Sequence, residues 1–475
     1  LNSTSRQSVL NVDLKDNKKS TAAYFENNSA NIFNLKNFKF TSTNGKNNNL
    51  VFVKNGIVNL AADANPDGSL KGALTITGGE SNVGIYTEAA GKALSNNAPI
   101  TITNSNSSIG IFAKSSGTVT NSGEISATGK SIKSIVALGS TINSTGKVTV
   151  DGTALSDTDG AVGLASMNGG NLTQNNANTN ITVDGSASIG AYADGKVGVP
   201  APVATTLTMT GGTITAKGGA FNTYAANSGT ITLNGVTLNT EKKSLAFYTT
   251  DNGKIDFGTG ATTTANIKGG TDSNSRGTAF LYKGAGATYA PFTPNDVKIW
   301  AGANFAHLDK LKLNMEQGSR LFIAQNVAMD LSGTAPGGIA GALPGVTFTG
   351  SNDYKTFMLY LSKLKLDQNI NLEDPTDAYN KLEVSNSSIE NNNSNTITGT
   401  SDGRVAIAQE NDTTIVRDKV KLINSGNINL SGANSTGIYG KFAEIINETT
   451  GTMNVGATSA AIYGTTCLLY TSPSP

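Results

Sequence analysis

The residues able to carry chemistry are thinly spread along this chain. The densest carboxylate group is Asp151, Asp157 and Asp159, followed one period later by Asp184 and Asp194. Two or three carboxylates converging on one face do general acid/base work on glycosidic bonds. These five sit in Gly/Ser/Thr turns, where Asp is an ordinary corner residue, so the turn reading outweighs catalysis. Turn aspartates also suit calcium, yet no nonapeptide calcium repeat is present. Gly129-Lys130-Ser131 ends like a phosphate loop. Glu124 stands where that loop needs its first glycine, however, and strand pattern follows where a helix is required. Gly337–Gly345 lacks dinucleotide spacing and reads as a flexible corner. His307 is the only histidine and Cys467 the only cysteine. That count excludes a His-based metal cluster, a multi-cysteine zinc or iron–sulfur site and an internal disulfide. No catalytic residue, metal site or cofactor is assigned.

The remaining candidates are aromatic. Tyr86, Phe112, Tyr192, Tyr224, Tyr248, Tyr282, Tyr439 and Tyr463 recur at matching points of a repeated phrase, and Trp300 is the only tryptophan. A column of rings either contacts sugars and proteins or stacks on itself as a structural ladder. Copies with Leu138 and Ala165 interrupt the column and favour the ladder. Trp300 is then the best single binding residue. Tyr86, Phe112, Tyr192, Tyr439 and Tyr463 are retained as further binding candidates.

Those rings are positioned by an internal repeat: a small polar residue, an apolar residue, Gly or Ala, an aliphatic, then an aromatic. It stands as Val83-Gly84-Ile85-Tyr86, Ile109-Gly110-Ile111-Phe112-Ala113, Val162-Gly163-Leu164-Ala165, Ile189-Gly190-Ala191-Tyr192-Ala193, Thr436-Gly437-Ile438-Tyr439-Gly440 and Ala461-Ile462-Tyr463-Gly464. Gly84 to Gly110 is 26 residues, Gly163 to Gly190 is 27, and Tyr439 to Tyr463 is 24. Between copies lies alternating sequence around Asn and Gly, as in 117–125 and 140–148. Alternation of period two signals strands. A unit this short cannot bury its own apolar face and must stack on its neighbours. The fold class predicted is all-β: a right-handed parallel β-helix of about 24–27 residues per coil, roughly 15 coils in all, with rungs about 4.8 Å apart.

Alternation predicts the facing of each side chain. Ile109, Ile111 and Ala113 are placed in the core with their counterparts Val83, Ile85, Val162, Leu164, Ile189 and Ala191. The glycines and rings are placed outside. Asn121, Asn143 and Asn424 are placed at turns, in a left-handed conformation Asn tolerates, with stacked amides bonding between rungs.

Along the chain, residues 1–60 form Asn/Lys-rich strands that start the solenoid. Regular repeats fill 61–290. Irregular coils with longer loops occupy 291–420, with a short corner helix predicted at Asp374-Pro375. Regular repeats resume over 421–466. The segment 467–475 breaks the pattern and reads as a non-native tail. Composition agrees with a solenoid: Asn and Thr are each about as numerous as the 54 glycines, so turn and strand formers dominate. A formal net charge of +1 gives no electrostatic reason to expect nucleic acid. Apolar runs fall short of the 18 or so residues that a membrane helix needs.

The phrases Ile-Asn-Ser-Gly-Asn-Ile-Asn-Leu and Asn-Ser-Thr-Gly-Ile-Tyr-Gly within 423–440 resemble passenger-domain repeats of the large fusobacterial type V autotransporters. The less repetitive stretch 304–330 (NFAHLDKLKLNMEQGSRLFIAQNVAMD), with 353–413 after it, resembles the same family more specifically. The resemblance implies a non-catalytic surface adhesin that binds host or bacterial surface proteins or glycans, working in adhesion and coaggregation. It further implies an extracellular passenger tethered to an outer-membrane β-barrel. Lack of a leader and barrel fits a fragment. A β-helical carbohydrate-active enzyme is the alternative, and it requires a groove of converging carboxylates and basic residues.

Overall fold

The computed structural model of the chain describes residues 9–27, 32–60, 72–88, 93–115, 117–196, 198–283, 304–325, 328–330, 345–350, 357–366, 369–373, 382–410, 420–465 and 468–471. Among these the named elements are β-strands, apart from single 3-10 turns at Ser273–Ser275 and Leu308–Lys310. The strands pair in parallel and stack as a β-solenoid of about 13 turns, somewhat fewer than the length alone suggests. The chain divides into two compact units, residues 1–248 with 252–266 and residues 249–251 with 267–475.

In the first unit each turn of chain lays one strand on each of three sheets, here called A, B and C. One turn contributes Gly72–Thr77, Val83–Thr87 and Ala93–Asn96; the next contributes Ile100–Asn106, Ile109–Lys114 and Thr118–Asn121. The register advances one repeat per rung. Ile85, Ile111, Ile135, Leu164 and Ala191 lie over one another in sheet B. Val119, Ile142, Leu172 and Leu207 do so in sheet C, and Ile76, Ile102, Ala127, Val150 and Ile181 in sheet A. All of these are buried. Each large aliphatic contributes about 1.5–3 kcal/mol, which is how units too small to fold alone hold together.

One corner is built identically turn after turn. Lys19, Asn47, Ser81, Ser107 and Ser131 all adopt left-handed backbone, with φ between 50 and 56°, and swing the chain from sheet A to sheet B. Asn and Ser carry that conformation at modest cost. After Asn47, Ser81 and Ser107 the next residue is a cap. Asn48 Oδ1 accepts from the Ser20 N–H at 2.9 Å, Asn82 Oδ1 from the Asn48 N–H at 3.1 Å, and Ser108 Oγ from the Asn82 N–H at 3.0 Å.

Two expectations about facing are corrected. Strict alternation fails at the glycine of the repeat: Gly84, Gly110, Gly163 and Gly190 are buried, while Val83, Ile109, Val162 and Ile189 are half-exposed. Glycine and the aliphatic after it both face the interior. The cause is crowding, because a β-carbon on Gly163 would stand 2.5 Å from Ile181 Cγ2 and one on Gly84 would stand 3.0 Å from Ile100 Cγ2. The branched side chain from sheet A already fills the space that a larger residue would need.

The asparagines divide. Asn121 is buried and accepts at Oδ1 from Asn96 Nδ2 (2.8 Å), while its own Nδ2 donates to Ser144 Oγ (3.2 Å) and to the Gly123 carbonyl (3.0 Å). Asn143 points to solvent and Ser144 takes the ladder position instead. Neither Asn121 nor Asn424 is among the left-handed residues. They end strands, and their amides bond to the rungs on both sides.

In the second unit the longest sheet carries Thr278–Lys283, Arg320–Gln325, Phe357–Tyr360, Leu382–Ser385, Val405–Glu410, Thr436–Lys441 and Ala460–Thr465. An amide ladder recurs: Asn391 Nδ2 donates to Asn424 Oδ1 at 2.8 Å, and Asn424 Nδ2 to Asn447 Oδ1 at 2.9 Å. Within the segment read as patternless, Leu468–Thr471 pairs in register with Glu444–Asn447, since an open sheet edge accepts any extended backbone. The predicted helix at Asp374-Pro375 and the residues Trp300 and Cys467 lie outside the described residues.

Candidate functional site

The ring column exists on the outside of sheet B and is longer than the sequence reading placed it. In the first unit it begins with Tyr24 and Phe52 and continues to Tyr86 and Phe112, with ring centroids 5.3, 4.9 and 5.3 Å apart. Val136 and Ala165 break it. Val136, not Leu138, is therefore the interrupting residue on its rung. Tyr192, Tyr224 and Tyr248 resume it at 5.3 and 4.3 Å. In the second unit Tyr439 and Tyr463 stack at 5.8 Å with planes 14° apart. Tyr282 pairs with Ala324, while Leu281 pairs with the half-exposed Ile323. Tyr86–Phe112, Tyr224–Tyr248 and Tyr439–Tyr463 are stacked, so these rings turn a face toward each other, while Tyr24–Phe52 is edge-on and Phe52–Tyr86 and Tyr192–Tyr224 are tilted.

A second column runs two residues beyond the rings, and it accounts for the alternation of tyrosine and phenylalanine. Tyr24 donates its hydroxyl to Glu26 at 2.6 Å, Tyr86 to Glu88, and Tyr192 to Asp194. On the phenylalanine rungs the equivalent residue is a lysine. Lys54 reaches back to Glu26 at 3.1 Å and Lys114 to Glu88 at 3.5 Å. At Tyr24, Tyr86 and Tyr192 the phenol gets a carboxylate acceptor, whereas Tyr224, Tyr248, Tyr439 and Tyr463 have Ala226, Thr250, Lys441 and Thr465 at that place. A phenyl ring needs no acceptor, and the lysine there separates like charges that parallel register would otherwise stack. The bond to Glu26 raises the Tyr24 phenol, and the Tyr24 and Lys54 bonds hold the Glu26 carboxyl down. Burial, then the carboxylate partner, pushes Tyr86 and Tyr192 above the usual phenol range. The phrases Tyr24-Phe-Glu26, Phe52-Val-Lys54, Tyr86-Thr-Glu88 and Phe112-Ala-Lys114 carried this signal; reading residues 1–60 only as Asn/Lys-rich strands hid its first half.

The correction at the glycines has a consequence for the surface. Val83, Ile109, Val162, Ile189 and Phe221 form an outward aliphatic and aromatic column beside the rings. Lys133 is the one charge in it, lying between Ile109 and Val162 in register, and burial pulls its ammonium down against the opposing pull of Asp159. Sheets A and C differ outside. Sheet A presents Thr41, Thr75, Thr101, Ser126, Thr149, Asn180, Thr213 and Thr237 in a single register column. Sheet C presents Thr120, Asn143, Thr173, Thr208 and Thr232. One face of three is thus apolar and aromatic, and two are hydroxyl and amide.

The carboxylates of the turn cluster serve separate tasks. Asp151 is exposed on sheet A between Thr128 and Thr182. Asp157 accepts from Ser186 Oγ at 3.2 Å, and Asp159 from Ser131 Oγ. Asp194 is buried and accepts from the Tyr192 hydroxyl, the Lys196 N–H (2.8 Å) and Asn227 Nδ2 (3.0 Å). Among the described residues, no three His, Cys, Asp or Glu side chains gather closely enough to hold a metal ion. His307 is exposed in left-handed backbone at the head of a 3-10 turn, where its carbonyl accepts from the Lys310 N–H at 2.9 Å.

A scan against protein-family models matches no family, and no curated protein matches the sequence.

Proposed function

We propose that this chain is a non-catalytic, surface-displayed adhesive passenger of the autotransporter kind, projecting binding surfaces toward host or bacterial cells and taking protein or glycan ligands. The observation that carries this reading is the asymmetry of the first unit: a half-exposed strip of Val83, Ile109, Val162 and Ile189 beside the ring column, against two Thr/Asn-lined faces. Exposed apolar surface of this kind, here interrupted by Lys133, marks interaction sites in soluble proteins. The dispersal of the turn carboxylates into separate hydrogen bonds supports adhesion over hydrolysis, which needs them convergent.

The test is binding of the fluorescently labelled full chain to epithelial cells and to partner bacteria. The expected result is saturable binding that Ile109→Lys with Ile189→Lys weakens at least about tenfold, the loss expected when charge enters the centre of an apolar contact. Absence of saturable binding to any cell, or hydrolysis of a polysaccharide panel by the chain, overturns the reading.

A further inference from the structure

The ring column of the first unit is built in two different ways. In its first stack phenol and phenyl alternate, Tyr24, Phe52, Tyr86, Phe112, so no tyrosine neighbours another. In its second stack Tyr192, Tyr224 and Tyr248 occupy three successive rungs. Tyr192 and Tyr224 are paired in register. The Tyr224 and Tyr248 rings lie 4.3 Å apart at the centroids, with planes 16° from parallel. Phe221 stacks on the same pair, 6.2 Å from Tyr224 and 5.5 Å from Tyr248, and holds both rings while offering no hydroxyl of its own. Val136 and Ala165 separate the two stacks by two rungs without a ring. At the near end of the triad, Tyr192 donates its hydroxyl to the buried Asp194 carboxylate, a base placed to take the phenolic proton as an electron leaves.

We propose that Tyr192, Tyr224 and Tyr248 form an oxidative cross-linking site, in which a carbon–carbon bond between Tyr224 and Tyr248 staples adjacent rungs. The co-reactant is a one-electron oxidant of the peroxidase and peroxide class. Each phenol loses one electron and one proton to give a phenoxyl radical. The two radicals join through their ortho carbons, and the hydrogens those carbons carried move to the two oxygens, restoring both phenols. In sum two tyrosines give up two hydrogen atoms, and one hydrogen peroxide becomes two waters. Holding both rings in contact makes the coupling intramolecular, so it outruns encounter with another chain. The bond closes a 24-residue loop and so restricts the unfolded chain, as any cross-link does.

The experiment treats the full chain, in dilute solution, with a plant peroxidase and hydrogen peroxide, followed by dityrosine fluorescence, denaturing electrophoresis and mass mapping of cross-linked peptides. The expected product runs as a monomer, forms in a yield independent of protein concentration, and contains a peptide pair joining Tyr224 to Tyr248 that is lighter by two hydrogens. Tyr248→Phe removes that pair, leaving at most a Tyr192–Tyr224 product, while Tyr86→Phe leaves it intact. Far-UV circular dichroism confirms that each variant is folded. If Tyr248→Phe fails to fold, Tyr224→Phe replaces it, and the wild-type peptide map decides by itself. Coupling of Tyr439 with Tyr463 is told apart by peptide mass. The proposal falls if no dityrosine forms, if it forms only between chains, or if it maps to Tyr24 or Tyr86 in preference to the triad.

Discussion

Gly190 faces Ile214 of the next turn so closely that a β-carbon on the glycine would stand 2.2 Å from Ile214 Cγ2, with the Asn222 carbonyl oxygen at 2.7 Å on the same side. Neither neighbour is free to retreat, since Ile214 is fully buried and Asn222 lies in the adjoining strand. Gly190→Ala is therefore expected to destabilise the folded chain by about 1–3 kcal/mol through overpacking, read from denaturant midpoints at unchanged slope. Ile214→Ala in the same chain removes the Cγ2 methyl itself, so Gly190→Ala is expected to cost less in that background than in the parent. Additive effects of the two substitutions would show that the contact is not the cause.

The amide ladder separates two asparagines that the sequence makes look alike. Asn121 and Asn143 each stand in the phrase Asn-Ser near a glycine, but one is buried and bonded to both neighbouring rungs and the other faces water. Asn121→Ala strands the partners of a buried amide and is expected to cost about 1–3 kcal/mol. Asn143→Ala is expected to stay within about 0.5 kcal/mol of the parent. Equal losses at the two positions, measured by thermal unfolding, would contradict the assignment of inside and outside in sheet C.

The pair also shows where legibility ends. Period, strand type, parallel stacking and the inward aliphatics Ile85, Ile111 and Leu164 could be read from spacing, because a constant 24–27-residue repeat leaves no other way to bury them. Facing near a corner could not. A period-two rule assumes unbroken pleat, and the turn into sheet B breaks it at the glycine, sending Ile109 out and Gly110 in. Choosing Ser144 over Asn143 for the ladder likewise needed the register with Asn121. The Tyr–carboxylate and Phe–Lys alternation of the first stack was visible in plain sequence and was missed because its first two copies precede the stretch in which the repeat is obvious.

Glu373 in the second unit is an electrostatic anchor that predicts acid behaviour. Its carboxylate accepts from Arg404 Nε (3.2 Å) and Nη2 (2.8 Å), from the N–H groups of Thr400 and Ser401 (both 2.9 Å) and from Ser401 Oγ (2.8 Å). The Arg404 fork first, and then the Ser401 and Thr400 donors, hold its carboxyl well below the unfolded value of 4.5. A depressed carboxylate stabilises the fold fully above its unfolded value and loses that contribution as pH falls toward the folded one. The gap in unfolding midpoint between the parent and Glu373→Gln is therefore expected to be constant from about pH 8 to about pH 5 and to close in stronger acid. A gap that widens on acidification would reverse the sign and remove the anchor.

The last prediction sets two isoleucines of one strand against each other. Ile111 is fully buried over Ile85 and under Ile135, so Ile111→Ala leaves a cavity and is expected to cost about 2–5 kcal/mol. Ile109, two residues away and predicted inside by simple alternation, is half-exposed beside Val83 and Lys133. Ile109→Ala is expected to cost less, about 1–2 kcal/mol, because part of its surface is in water and its removal leaves no enclosed cavity. Equilibrium unfolding of the two variants distinguishes a kinked entry into sheet B from an unbroken strand, which would make the two losses equal. The same comparison bears on the adhesive reading, since a half-buried aliphatic that contributes less to stability than Ile111 leaves part of its place in an apolar strip to be explained by what it touches outside the chain.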